Sequence, residues 1–254
     1  MRNLKRALSL ALASVMLLGM MVVGTSAASY SDVAATDNVE AIEVLKAVGV
    51  MSGDENGNFN PAKGVTRNEM AVIMANMLDL DITAYAGTTP FTDVPAWAED
   101  FVAACYANGI VSGTSATTYG GDGTVTAAQA ALMMMKALGY FQYAADFGSN
   151  WQLETIKKAA QLELFDGIDA KAASPLTRNE VAQLALNTLE ERTVRDTDIS
   201  KDLGVNENGN LVNVYTYADP ATGPVLYTDL FPSDKENLQK GVANSVTTAL
   251  GAPS

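Results

Sequence analysis

A chain of 254 residues with 29 acidic against 16 basic side chains carries a net charge of −13, which excludes nucleic acid as a partner, because gripping a polyanion needs a basic stripe that releases counterions. The absence of histidine removes His-dependent triads and the usual zinc sites, and the single cysteine, Cys105, leaves no intramolecular disulfide framework. A carboxylate pair acting on a glycosidic bond stays formally open, yet no spacing among the acidic residues singles one out.

The chain opens on Arg2, Lys5 and Arg6, followed by an apolar run from Ala7 to Val23 and the small residues Gly24 to Ala28. This order of charge, apolar stretch and small-residue cleavage site is the layout of a secretory signal peptide over residues 1–28. Ser9, Ser14 and Gly19 interrupt the run, which favours cleavage over a membrane span. Removal takes away three positive charges and leaves the mature chain more acidic still.

From Tyr30 onward the chain repeats itself. Tyr30-Ser31-Asp32-Val33 returns as Phe91-Thr92-Asp93-Val94. Gly49-Val50-Met51-Ser52-Gly53 returns as Gly109-Ile110-Val111-Ser112-Gly113 and, loosely, as Glu163-Leu164-Phe165-Asp166-Gly167. A third landmark, Val65-Thr66-Arg67-Asn68-Glu69, returns as Val125-Thr126-Ala127-Ala128-Gln129 and as Leu176-Thr177-Arg178-Asn179-Glu180. The landmarks set repeats over residues 29–86, 87–146 and 147–192, the third without the aromatic-x-Asp-Val start.

Each unit predicts helix, loop, helix. The first helices carry the apolar i, i+3 pairs Ile42 and Leu45, Val102 and Cys105, and Ile156 and Ala159, so Cys105 reads as a small buried apolar residue. The second helices show the amphipathic stripe Met70, Ile73, Met74, Met77, Leu78, repeated as Ala130, Met133, Met134, Ala137, Leu138 and as Val181, Leu184, Ala185, Thr188, Leu189. One such unit buries little apolar surface, so the three are expected to pack their stripes into one mainly α domain running to about Arg192.

Thr66 with Glu69, Thr177 with Glu180 and Thr126 with Gln129 read as capping boxes that open the second helices. Arg67 and Arg178 then fall on the first helical position, where the helix dipole disfavours a cation. Beside the free amides of a helix start, a guanidinium there makes a site for a carboxylate or phosphate; a solvated surface arginine is the alternative. Because capping belongs to threonine and glutamate, removing either arginine is expected to leave the melting temperature unchanged.

The loop Asp54-Glu55-Asn56-Gly57-Asn58-Phe59 alternates acidic and amide residues but has Phe59 and Val65 where a calcium-binding EF-hand needs glycine and glutamate, so it reads as a turn. Residues 193–254 change character. Alternation in Leu211-Val212-Asn213-Val214-Tyr215-Thr216-Tyr217 and again in Val225-Leu226-Tyr227, broken by Pro220 to Pro224, predicts a small β-rich segment, marginal as an independent fold.

Together the Phe91-Thr92-Asp93-Val94 start with Trp97-Ala98, the Gly109 to Gly113 motif, Gly57-Asn58-Phe59-Asn60-Pro61 and the Val65 to Glu69 motif resemble the S-layer homology domain over about 160 residues. The resemblance implies a pseudo-threefold bundle whose inter-repeat grooves bind pyruvylated or otherwise anionic secondary cell-wall polymers. It assigns glycan contact to Arg67 and Arg178, with Thr66, Glu69, Thr177, Glu180, Asp32, Asp93, Trp97, Gly53 and Gly113 around them. Repeat two has Ala127 in place of the arginine, so at most two grooves are expected to be competent. The implied function is non-covalent anchoring of an exported protein at the cell surface, with a secondary cell-wall polymer or peptidoglycan-linked glycan as partner, no catalysis, no cofactor and no metal. A self-associating S-layer lattice subunit and, more remotely, an anchored wall-active enzyme are the alternatives.

Overall fold

Helix starts are set by the capping residues. In the structure, a computed structural model that describes residues 30–206 and 208–230, Thr66, Thr126 and Thr177 each accept at the side chain from the amide three residues on, while Glu69, Gln129 and Glu180 reach back to the N-cap amide. They open α2 (Arg67–Met77), α4 (Ala127–Ala137) and α6 (Arg178–Leu189). Preceding them in the chain are α1 (Val39–Ala47), α3 (Ala96–Ala107) and α5 (Trp151–Gln161), so the bundle consists of three helix pairs. The expected signal peptide, residues 1–28, and the part of the C-terminal segment beyond residue 230 lie outside the described residues. Among the described residues, no helix is long and apolar enough to cross a membrane.

The pairs interlock instead of stacking in file. α2 packs on α3, α4 on α5, and α6 returns to α1, so the second helix of each pair lies against the first helix of the next. Where α2, α4 and α6 begin, three backbone hydrogen bonds run in a closed ring: Val65 N to Leu176 O (3.0 Å), Leu176 N to Val125 O (3.0 Å) and Val125 N to Val65 O (2.8 Å). Side chains reinforce the closure, since Asn38, at the N-cap of α1, donates from its amide to Asn179 Oδ1 on α6 (2.7 Å).

The expected stripes form the core. Met70, Met74 and Met77 of α2, Met134 and Leu138 of the second pair and Leu184 and Ala185 of α6 are buried together with Ile42, Leu45 and Cys105. Cys105 is buried, its thiol pushed up to about 12 by desolvation and donating to Ala71 O at 3.3 Å. One expected pair shifts. On α5 the buried positions are Thr155 and Ala159, which align with the buried Ala41 and Leu45 of α1, while Ile156 is only half-buried.

Past the bundle the chain makes a hairpin, β1 (Ile199–Val205) with β2 (Leu211–Tyr217), antiparallel with Ile199 opposite Tyr217 and Val205 opposite Leu211. The strand expected at Leu211 to Tyr217 is present, but the run Val225-Leu226-Tyr227 is not a strand. It contributes an isolated bridge from Val225 to Arg192 and then the one-turn helix α7 (Leu226–Leu230). Nor does this segment stand apart: Ala221 and Leu226 are buried in the common core, and the Asp198 carboxylate ties it down by accepting from Thr222 N (2.8 Å) and Thr222 Oγ1 (2.6 Å).

Candidate functional site

Each junction between helix pairs brings a helix start against a loop from another pair. The first amides of α2 donate to that loop, Arg67 N to Gly123 O and Asn68 N to Gly121 O, both at 2.9 Å. At α4, Ala127 N donates to Ser174 O and Ala128 N to Ala172 O; at α6, Arg178 N donates to Lys63 O and Asn179 N to Pro61 O. The expectation of free helix-start amides is therefore corrected. Backbone carbonyls from a neighbouring pair already occupy the groups that an anion would have used.

Neither is an arginine a solvated surface cation. Arg67 is 9% exposed and donates from Nη2 to Ser112 O (2.8 Å), its guanidinium carbon 4.6 Å from the centre of the Tyr119 ring. Arg178 donates from Nε to Phe59 O and from Nη2 to Ser52 O, both at 2.7 Å, with the Phe59 ring at 4.6 Å. Arg67 thus fastens the loop Ile110-Val111-Ser112-Gly113, and Arg178 the loop Val50-Met51-Ser52-Gly53, to a helix start. These bonds give each arginine a packing role that the expectation of unchanged stability did not include.

Asp32 and Asp93 shape the same loops from beneath. Asp93 accepts from Tyr119 N (2.7 Å) and Gly120 N (2.8 Å), and Asp32 accepts from Phe59 N (2.9 Å) and Asn60 N (2.6 Å). Those amides hold the Asp93 carboxyl below its ordinary value. Gly53 and Gly113 sit where any side chain would collide: a Cβ on Gly53 would lie 2.5 Å from the Tyr30 ring, and one on Gly113 would lie 2.7 Å from Thr118 O and closer still to the Phe91 ring. In the loop once resembling a cation site, Asp54 accepts from Asn56 N and Asn58 N at 2.9 Å, an ordinary turn.

The third junction lacks the whole device. Ala127 stands at the arginine position, and Ala170, two residues before the carbonyl of Ala172 that receives Ala128 N, stands where Phe59 and Tyr119 lie at equal distance before Pro61 and Gly121. Arginine and ring are missing together, as expected of groups that act on each other.

Beside Arg67 lies a cleft of about 450 Å³, lined by Ile110 to Thr114, by Gln129, Leu132, Met133 and Lys136 of α4, and by Phe147 and Trp151. Among the described residues its lining holds two cations and no acid. Lys136 donates to Gly109 O (2.8 Å), and burial lowers its ammonium pKa. Asp93, outside the lining, still feels the charge of Arg67, and Arg178 has more acids around it: burial lowers its pKa, while Glu69, Asp32 and Asp54 lie near enough to oppose that. Of the residues expected to bind, Arg67 and Gly113 line the cleft. Asp93 accepts from the amide of Tyr119, whose ring lies against Arg67, Thr66 and Glu69 cap α2, and Glu69 pairs with Lys63 at 2.6 Å. Thr177 and Glu180 cap α6, while Trp97 is 57% exposed on α3 and is not among the lining residues. Lys136, Gln129 and Trp151 were missed. Aligning the repeats places Lys136 against Asn76 and Asn187, a departure visible in the sequence. Among the described residues, no group of acidic or cysteine side chains is placed to hold a metal ion.

Comparison with known proteins bears on this geometry. The chain is 32% identical to the surface-layer 125 kDa protein of Lysinibacillus sphaericus over 59% of this chain and 14% of that protein. With the surface layer protein of Brevibacillus choshinensis it shares 29% identity over 51% of this chain and 12% of that one. It is also 26% identical to an endoglucanase of Bacillus sp. (strain KSM-635), over 65% of this chain and 20% of the enzyme. The chain therefore spans only a small part of the length of the relatives it matches. The family model of the S-layer homology domain matches residues 29–71 and 90–131, each running from ahead of the first helix of a pair into the second, and the third helix pair lies outside both matches. The S-layer homology domain thus occurs twice in this chain, over residues 29–71 and 90–131.

Proposed function

We propose that the chain anchors an exported protein to the bacterial cell surface by non-covalent binding of an anionic secondary cell-wall polysaccharide, and that the Arg67 cleft is the principal contact. The two S-layer homology domains and the surface-layer relatives support a cell-surface location and anchoring in general. The observation that carries the ligand chemistry is the cleft's charge: in a protein of net charge −13, Arg67 and Lys136 line it without a single carboxylate. A low-dielectric wall of Leu132, Met133 and Phe147 strengthens their pull on an anion, and Trp151 offers a ring to a sugar face. Arg178, with acids around it, is the weaker second contact. In this reading the three helix pairs are three repeats in a pseudo-threefold bundle, which the one-directional ring of hydrogen bonds supports. The chain acts as a binding module, without catalysis. Self-association in a surface layer is a second reading, favoured by the names of two relatives.

The test is co-sedimentation of the full chain with purified wall sacculi, before and after extraction of the secondary polymer. Lys136→Gln should weaken binding about tenfold, the worth of a charge-assisted hydrogen bond of ~1.5 kcal/mol, and added salt should weaken the parent. Binding of Lys136→Gln equal to the parent's, or binding indifferent to extraction, refutes the assignment.

A further inference from the structure

A second cleft, about 870 Å³ in volume and nearly twice the size of the first, lies between β2 and α5. Every residue from Val212 to Tyr217 lines it. A strand showing a face would contribute only alternate residues, so β2 presents its edge. The register explains this. Asn206 N bonds Asn210 O and Ala218 N bonds Asp198 O, so the ladder to β1 uses even-numbered residues and turns the peptide groups of Leu211, Asn213, Tyr215 and Tyr217 outward. The opposite wall is one face of α5, where Glu154, Lys157, Lys158 and Gln161 follow the i, i+3, i+4, i+7 spacing.

Tyr140, Tyr215 and Tyr217 line this cleft, and Tyr143, outside the lining, covers one face of Tyr215. Tyr143 and Tyr215 stack at 3.6 Å with planes 5° apart, and Tyr140 meets Tyr217 at 5.1 Å. Its charges are already engaged: Lys157 lies 4.0 Å from Glu154, Lys158 sits 4.9 Å over the Tyr140 ring, and Asp146 accepts from Tyr217 OH (2.6 Å) and Tyr143 N (2.9 Å). With Asp219 also in the wall, acid outnumbers base, so an anionic polymer gains nothing here. What remains for a ligand is neutral: outward peptide groups of β2, the amides of Asn206, Asn208, Asn213 and Gln161, and the flanks of tyrosine rings.

We propose that this cleft binds an uncharged oligosaccharide, its hydroxyls bonded by the β2 edge and the side-chain amides and one apolar sugar face laid against the tyrosines. The six-residue run of β2 is about 20 Å long at ~3.3 Å per residue, enough for an oligomer rather than one ring. Amides on both walls favour hydroxyls over an added peptide strand, which would use the edge alone. The inference stands apart from the Arg67 cleft and from the anionic polymer proposed for it.

The full chain is titrated by calorimetry with three neutral hexasaccharides, chitohexaose, cellohexaose and mannohexaose, and with an acetylated Thr-Val octapeptide. At least one saccharide should bind, and the double variant Asn213→Ala/Gln161→Ala, two exposed side chains whose loss spares the core, should weaken it about tenfold or more, while Lys136→Gln leaves it unchanged. Absence of saccharide binding at millimolar concentration overturns the proposal, as does binding that survives the double variant or falls with Lys136→Gln. Binding of the octapeptide alone overturns it in favour of strand addition.

Discussion

Arg67→Ala tests whether the motif arginine is a fastener. The substitution removes a charge-assisted hydrogen bond to Ser112 O, ~1.5–3 kcal/mol, and a cation–π contact with the fully buried Tyr119, ~0.5–2 kcal/mol. Against this, Arg67 Nε is buried without an acceptor, and releasing an unsatisfied donor returns ~1–3 kcal/mol. The balance is a loss of about 1.5 kcal/mol. At ~2–4 °C per kcal/mol for a domain of this size, Tm should fall by about 3–6 °C, read by far-UV circular dichroism on the full chain. Lys136→Gln, which removes a cation from the same cleft and an exposed hydrogen bond to Gly109 O but no contact with a ring, serves as the comparison and should lose less than Arg67→Ala. An Arg67→Ala protein that melts within about a degree of the parent refutes the fastening role.

Gly113→Ala must displace backbone carbonyls of Ser115 and Thr118 as well as the Phe91 ring, so it should cost about 2 kcal/mol, measured by urea denaturation; an unchanged midpoint would show that the loop yields freely. Stability should also decline in acid. Backbone amides hold Asp54 and Asp93 below their usual 3.8; for Glu69, burial raises the pKa but is outweighed by Lys63 and Thr66, leaving it below 4.5. A folded pKa below the unfolded one gives stability that is fully present above the unfolded value and lost as pH falls through the folded one. Melting temperature should therefore hold above about pH 5 and drop toward pH 2; a Tm flat down to pH 2 contradicts the assignment.

Helix starts were legible because a capping box is local: threonine and its glutamate or glutamine lie three residues apart, and so do their hydrogen bonds. The core stripes were legible for the same reason, period and burial being properties of one helix. The arginines were not. Their acceptors are main-chain carbonyls of Ser112, Ser52 and Phe59, at separations of 45, 126 and 119 residues, and a carbonyl has no side-chain identity to betray it. Val225-Leu226-Tyr227 misled through β-branched and aromatic composition, while the bond from Leu226 N to Glu191 O and burial against the bundle decided its conformation. Lys136 stood in plain view but gained meaning only when the fold set it beside Arg67.

The ring at the helix starts has a consequence for how the chain acquires its structure. A solenoid can grow from one end, each unit stabilised by the one before it. Here Val65 has its partner at Leu176 and α1 has its packing neighbour in α6, so the first helix pair remains incomplete until the last has formed. Folding must close a loop of more than a hundred residues before these contacts form, which slows the search but makes the transition all-or-none. A fragment ending after the second pair would expose the apolar face that α6 covers on α1, and a nascent chain stays unfolded until its final helices arrive.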